Sequence, residues 1–162
     1  MTGRPLVLGL GNVLMGDEGV GVRVLERLVA ERDAAHPLAG AELVDGGTLG
    51  LDLLPLLDDA DAVVMIDAVD LRLAPGSVVV LRDAELTARM GGALSVHQLG
   101  VGDLLAVARL RGTMPARAAL VGIQPQRLEV GLELSPAVEA AVPLAAEMAR
   151  AEVASMRETT HA

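Results

Sequence analysis

The chain has 162 residues and a formal net charge of -9, with 22 acidic side chains, 13 arginines and no Lys, Phe, Trp, Tyr or Cys. Without cysteine it has no disulfides, no thiolate metal site and no thiol nucleophile, so any metal must bind to oxygen or imidazole ligands. The negative charge and the missing aromatic rings argue against a nucleic-acid partner, which would need basic side chains and stacking platforms.

The mean hydropathy of +0.48 raises the question of membrane insertion. A spanning helix needs about 18 or more consecutive apolar residues, and no such run occurs. The apolar N-terminal stretch, residues 6–15, is interrupted by Gly9, Gly11 and Asn12, and it has no small-x-small cleavage site. It predicts a buried first strand in a cytoplasmic protein without membrane insertion.

The predicted strands are short, nearly continuous apolar runs, a pattern typical of parallel strands that are covered on both faces. In chain order they are residues 5–10, 41–44, 62–66, 77–81 and 118–123.

Helical patterns alternate with these runs. Residues 19–35 carry one apolar face, residues 48–57 predict a short helix capped by Thr48, and a third pattern covers residues 101–108. Ser135 followed by proline predicts the start of a long last helix. Alternating strands and helices predict an α/β three-layer sandwich, with a mostly parallel five-stranded twisted sheet and helices on both faces. We expect one domain over residues 1–156 and a disordered tail over residues 157–162.

Acidic residues follow the first three predicted strands. Glu18 lies in the loop after the first strand, Asp45 at the end of the second and Asp67 at the end of the third. Ligands of open α/β sheets bind beyond the carboxyl ends of the strands, so these acids mark the predicted site. The first loop also begins like a dinucleotide-binding motif, but the carboxylates of Asp17 and Glu18 at the helix start would repel a phosphate.

Three histidines are present, and only one lies in a promising position. His36 and His161 are expected on the solvated surface, whereas His97 stands just before a predicted helix. Glu18, Asp67 and His97 would together make a two-carboxylate, one-imidazole set that suits nickel or zinc with open coordination positions. The alternative from spacing alone is structural: the acids cap helices, Asp17 among them, and His97 binds a loop carbonyl.

At these residues the chain resembles the nickel-iron hydrogenase maturation endopeptidases, which remove a C-terminal extension from the hydrogenase large-subunit precursor. The resemblance extends from residue 5 to about residue 150. Its motifs are Gly9–Gly21, Asp45–Gly50, Ile66–Ala68, Pro75–Ser77, His97–Gly100, Val121–Pro125 and Gly131–Pro136.

The resemblance implies a function and a set of site residues. Carried over by position, the metal ligands fall on Glu18, Asp67 and His97, and an acid needed for processing falls on Asp45. It implies that nickel already installed in the precursor is recognised, while other divalent cations can occupy the site in the isolated protein. A metal so held can polarise the scissile carbonyl or activate a water, with Asp45 acting as a general base or holding the peptide. The family is classed with aspartic-type peptidases, although the twin-aspartate motif of those enzymes is absent here.

Two other functions are compatible with parts of the sequence. A non-catalytic adaptor of hydrogenase assembly would inspect the metal and leave the cutting to another protein. A nucleotide- or phosphate-binding regulatory domain is disfavoured by the acid pair in the first loop. We expect a monomer whose partner is the large-subunit precursor.

Overall fold

The computed structural model describes residues 4–32, 38, 40–90 and 100–160, and for residues 90, 159 and 160 only the backbone. The strands are β1 (Leu6–Leu10), β2 (Glu42–Gly47), β3 (Ala62–Ala68), β4 (Val78–Arg82) and β5 (Arg117–Ile123). The helices are α1 (Val20–Ala30), α2 (Leu54–Asp58), α3 (Asp83–Met90), α4 (Val101–Leu110) and α5 (Pro136–Thr160). Two 3₁₀ turns, Gly16–Gly19 and Gly50–Leu53, precede α1 and α2. None of these helices is long and apolar enough to cross a membrane.

The five strands form one sheet in the order β2-β1-β3-β5-β4. Strands β2, β1, β3 and β5 are parallel to one another, and β4 pairs antiparallel with β5 at one side of the sheet. Alternate side chains of the strands enter two cores. Val7 and Val64 lie in the core beneath α1 and α5, whereas Leu8 and Met65 lie in the core beneath α2, α3 and α4. The predicted three-layer α/β sandwich is confirmed.

The sheet order defines where a site can form. The chain leaves β1 through α1 to reach β2 on one side, while β3 lies on the other side of β1. In such a sheet the connections diverge at the carboxyl ends of the two central strands and leave a crevice there. The carboxyl ends of β1 and β3 therefore mark the part of the sheet where the sequence predicted the acidic site.

Two predicted helix boundaries are wrong. The helix predicted over residues 19–35 ends at Ala30, because the apolar stripe stops at Leu28 and Val29 is exposed; residues 33–35 lie outside the described part of the chain. The predicted cap Thr48 is also wrong, since the 3₁₀ turn and α2 follow Leu49 and Leu53 and neither start has a side-chain cap.

The C-terminal tail is partly helical instead of disordered. Helix α5 continues to Thr160, which corrects the predicted disorder of residues 157–160; residues 161 and 162 lie outside the described residues. The physical reason is that the buried stripe of α5 continues through Val153 to Met156, and the last turn extends from it. The single domain over residues 1–156 stays a prediction.

Candidate active site

Three of the four predicted site residues lie on or beside the carboxyl ends of the central strands. Asp45 is on β2 opposite Gly9 of β1, and Asp67 is on β3 opposite Gly122 of β5. Glu18 is in the 3₁₀ turn after β1, which lies against β3. The structure thus brings the predicted acids to one edge of the sheet.

The turn that carries Glu18 is folded tightly upon itself by glycines. Gly11 has a φ of 121°, and a Cβ there would lie 1.8 Å from the carbonyl oxygen of Glu18. A Cβ on Gly19 would lie 2.6 Å from the Cα of Val13. Because only glycine permits these approaches, the loop returns over the end of β1 and holds Glu18 there.

The two central acids differ in exposure. Asp67 is 1% exposed, and its carboxylate accepts a hydrogen bond of 2.8 Å from the Ala68 N–H. Glu18 is half-buried. A carboxylate in a desolvated position interacts more strongly with a nearby cation than one in open water does. Of the two carboxylates, that of Asp67 would therefore interact more strongly with a cation bound at this edge of the sheet.

The third predicted ligand, His97, lies outside the described residues. Within residues 4–32, 38, 40–90 and 100–160, no group of three acid or histidine side chains is arranged to hold a metal ion. The complete set of Glu18, Asp67 and His97 stays a prediction.

Asp45 is exposed at the same edge. The loop after β1 is tied to the end of its strand, since the Gly11 N–H donates to the Gly47 carbonyl at 2.9 Å. An exposed carboxylate beside the strand ends is accessible to a peptide or a water. The position agrees with both roles that the resemblance implies for Asp45.

Asp17, next to Glu18, has a different role from the predicted helix cap. Asp17 is 0% exposed, and helix α1 has Gly19 at its N-cap position, where no side chain caps the helix. The Asp17 carboxylate instead accepts four hydrogen bonds from the connection between β5 and α5. The donors are the N–H groups of Gln126, Arg127 and Ser135, and the hydroxyl of Ser135, at 2.7–2.8 Å.

These bonds also determine the charge of Asp17. Burial acts to raise its pKa, but hydrogen bonds from the Arg127 N–H, the N–H and hydroxyl of Ser135, and the Gln126 N–H outweigh it. The pKa therefore lies below the ordinary value of 3.8. Asp17 is a buried anion held by uncharged donors.

Gln124 is a second polar residue whose role the sequence did not indicate. It is buried at the end of β5, and its Oε1 accepts hydrogen bonds from the N–H groups of Leu71 at 2.7 Å and Leu73 at 3.2 Å. Its Nε2 donates to the carboxylate of Asp70. Hydrogen bonds from the Arg72 N–H and then from the Gln124 side chain lower the pKa of that exposed carboxyl. In the sequence, Asp17 lies within the Gly9–Gly21 motif and Gln124 within the Val121–Pro125 motif. Neither motif indicates which residues these side chains contact in the fold.

The comparisons with known proteins agree with this architecture. The sequence model of a family described as HycI, hydrogenase maturation protease, matches residues 22–152. The chain is 48% identical over 144 residues to the hydrogenase expression/formation protein HupD of Rhodobacter capsulatus, covering 88% of this chain and 67% of that protein. It is 40% identical over 157 residues to the hydrogenase 2 maturation protease of Escherichia coli K12, covering 96% of this chain and 92% of that protein.

A solved structure has the same fold. The hydrogenase maturating endopeptidase HybD from E. coli superposes with a TM-score of 0.80 at 38% identity, covering 96% of this chain and 93% of that one. The similarity in sequence and fold thus extends over nearly the whole chain, including the strand ends described above. The chain belongs to the hydrogenase maturation protease family.

Proposed function

We propose that this protease is an endopeptidase that cleaves the C-terminal extension of a nickel-iron hydrogenase large-subunit precursor after nickel insertion. The observation that carries the proposal is the position of Glu18 and Asp67 beside the carboxyl ends of the adjacent central strands. The likeness to the E. coli maturation protease supports the reaction class. A cytoplasmic site of action is part of the proposal.

Nickel is part of the substrate in this proposal. Glu18, Asp67 and His97 complete the coordination of the ion that the precursor brings, because carboxylate and imidazole donors suit a borderline divalent metal. When bound, the ion supplies Lewis-acid polarisation of the scissile carbonyl and lowers the pKa of a bound water. This route uses only carboxylate and imidazole groups. It therefore agrees with a chain that has no cysteine.

Asp45 serves the same reaction from the exposed side of the edge. It acts as a general base toward water or holds the peptide, two roles that both need an accessible carboxylate. The chemistry is aspartic in this limited sense: one aspartate works beside a metal, without the twin-aspartate motif.

The test is a purified two-component assay in which the nickel-loaded precursor is mixed with the chain and loss of the C-terminal peptide is followed by mass spectrometry. We expect Glu18→Gln and His97→Ala each to lower the processing rate at least about 100-fold, as the loss of a catalytic group does. Asp45→Asn is expected to lower it similarly. Thermal unfolding of the three variants should stay near wild type. Glu18 and Asp45 lie outside the two apolar cores, and the melting temperature of His97→Ala is measured to separate a loss of activity from a loss of folding.

The control variant is Glu147→Gln, an exposed substitution on α5, which should process the precursor normally. Normal processing by Glu18→Gln or His97→Ala would overturn the ligand assignment. Binding of the precursor without any cleavage by the wild-type chain would favour the alternative, a non-catalytic adaptor that inspects the metal.

A further inference from the structure

The connection between β5 and α5, residues 124–135, lies against the turn that carries Glu18. Besides the four bonds to the Asp17 carboxylate, the Asp17 N–H donates to the Arg127 carbonyl at 3.0 Å. Gly131 makes two backbone hydrogen bonds at the start of the same turn. Its carbonyl accepts from the Gly16 N–H at 2.9 Å, and its N–H donates to the Leu14 carbonyl at 2.8 Å. The start of α1 is thereby fixed to a segment more than 100 residues later in the chain.

The other end of this segment holds the loop that follows Asp67. The Gln124 side chain accepts from the N–H groups of Leu71 and Leu73. The Gln124 backbone pairs with the same loop, accepting from the Gly76 N–H and donating to the Ser77 carbonyl, both at 2.9 Å. One segment therefore contacts both the turn that carries Glu18 and the loop that follows β3, the strand of Asp67.

Polar bonds, and not apolar burial, hold the middle of this segment. Residues 126–130 are exposed, with Val130 at 85%, and Leu132 is 65% exposed. A segment with so little buried apolar surface opens easily unless directional bonds hold it. Asp17 supplies such bonds from a fully buried position, where an apolar residue would leave the donors of Gln126, Arg127 and Ser135 unpaired.

We propose that Asp17 and Gln124 are positioning residues which, through residues 124–135, fix the placement of Glu18 relative to Asp67. The inference rests on the proposed function, because it concerns the geometry of that site. Asp17 acts through its neighbour Glu18, and Gln124 acts through the loop after Asp67. Misplacement of a reacting group by about 1 Å can cost about 100-fold in rate, so a loosened segment should lower turnover without removing any ligand.

The deciding variant is Ser135→Ala, which removes one of the four bonds to Asp17 and keeps the backbone donor. With nickel-loaded precursor as substrate, we expect kcat to fall about three- to tenfold while KM changes less than about threefold. Ser135→Thr restores the hydroxyl and should restore kcat. Asp17→Asn, and Gln124→Ala at the other end, should lower kcat in the same way, more strongly for Asp17→Asn.

The matched control is Glu152→Gln, which weakens the ion pair of Glu152 with Arg82. Arg82 is opposite Ala119, near the start of β5, so this pair lies at the other edge of the sheet from the site. We expect Glu152→Gln to lower the melting temperature and to leave kcat unchanged. Hydrogen exchange gives a reading independent of activity: amides of residues 16–19 should exchange faster in Ser135→Ala and not in Glu152→Gln.

Wild-type kcat and unchanged exchange in Ser135→Ala would overturn the positioning role, even if Asp17→Asn fails to fold. Equal losses of kcat in Ser135→Ala and Glu152→Gln would reduce the segment to a purely structural element and also overturn it. If the wild-type chain does not cleave the precursor, the proposed function itself is wrong and this inference falls with it. Cleavage by the wild type with normal kcat in all these variants overturns the inference alone.

Discussion

Single glycines bring helix α1 into direct contact with the ends of the central strands. A Cβ on Gly21 would lie 2.1 Å from the carbonyl oxygen of Ile66 and 2.3 Å from that of Leu10. These are backbone atoms of β3 and β1, which cannot move aside as a flexible side chain can. The close packing of α1 on the ends of β1 and β3 therefore requires a residue without a Cβ at position 21.

Gly21→Ala is therefore expected to destabilise the protein. In an open helix this change would add about 1 kcal/mol of stability, but here the clash with two strand carbonyls should cost about 1–3 kcal/mol net. The measurement is the free energy of unfolding in urea. Gly131→Ala is the control, since nothing lies within 4 Å of the position of its Cβ, and it should stay within about 0.5 kcal/mol of wild type. A Gly21→Ala variant as stable as wild type would contradict the close packing of α1 on the strand ends.

Neighbouring acids in this chain have different tasks, which the sequence alone could not separate. Glu18, Asp45 and Asp67 were predicted from strand ends and from the resemblance, and the structure brings them to one edge. Asp17 was equally visible but was interpreted as a possible cap, because its four donors come from residues 126–135. A contact across more than 100 residues leaves no periodic pattern in the sequence.

At the scale of the elements, the connection between β5 and α5 depends on the charge of Asp17. The folded state holds this carboxylate as an anion with a pKa below 3.8, whereas the unfolded chain has no such set of donors. In the unfolded chain the pKa of Asp17 is the ordinary value of 3.8. Between this value and the lower pKa of the folded state, the unfolded chain binds more protons than the folded one. The stability that Asp17 contributes is thus fully present above about pH 3.8 and is lost as the pH falls through the folded-state pKa.

We accordingly expect Asp17→Asn to be less stable than wild type at pH 7, by about 1–3 kcal/mol. The amide NH2 group of asparagine would face N–H and hydroxyl donors that need an acceptor. The difference between the two proteins should shrink as the pH falls below 3.8, because only the wild type then loses its anion. Urea unfolding from pH 7 down to pH 3 measures it. The exposed Glu147→Gln should stay within about 0.5 kcal/mol of wild type at pH 7. A constant difference between Asp17→Asn and wild type across this range would contradict the assignment.

The elements that bury a regular apolar pattern were predicted well, and those that do not were missed. All five strands were found as apolar runs, but α3 was not predicted, because within its described side chains only Leu86 is buried. Its start depends instead on a tertiary bond, from the Ala118 N–H to the Asp83 carboxylate at 2.9 Å. Helix α5 continues into the predicted tail for the opposite reason, because its buried apolar stripe extends to Met156.

At the scale of the whole molecule, the strand order was beyond the sequence pattern. β4 follows β3 along the chain, yet β5 lies between them and β4 pairs antiparallel at the edge. A buried run has the same apolar pattern in either position, so its neighbours are decided by pairing over long range. The layers and the mostly parallel sheet could be predicted; the place of the antiparallel strand could not.

The whole-molecule prediction concerns the substrate. If nickel in the precursor completes a site with Glu18, Asp67 and His97, a nickel-free precursor lacks the ion that polarises the scissile carbonyl. Loss of about 3 kcal/mol of transition-state stabilisation corresponds to a rate about 100-fold lower, so we expect the nickel-free precursor to remain essentially uncleaved while the loaded one is processed. The control adds free Ni²⁺ to the chain and the nickel-free precursor together. Cleavage of the nickel-free precursor at the rate of the loaded one, without added metal, would remove nickel recognition from the mechanism and leave a protease that depends on the chain's own carboxylates.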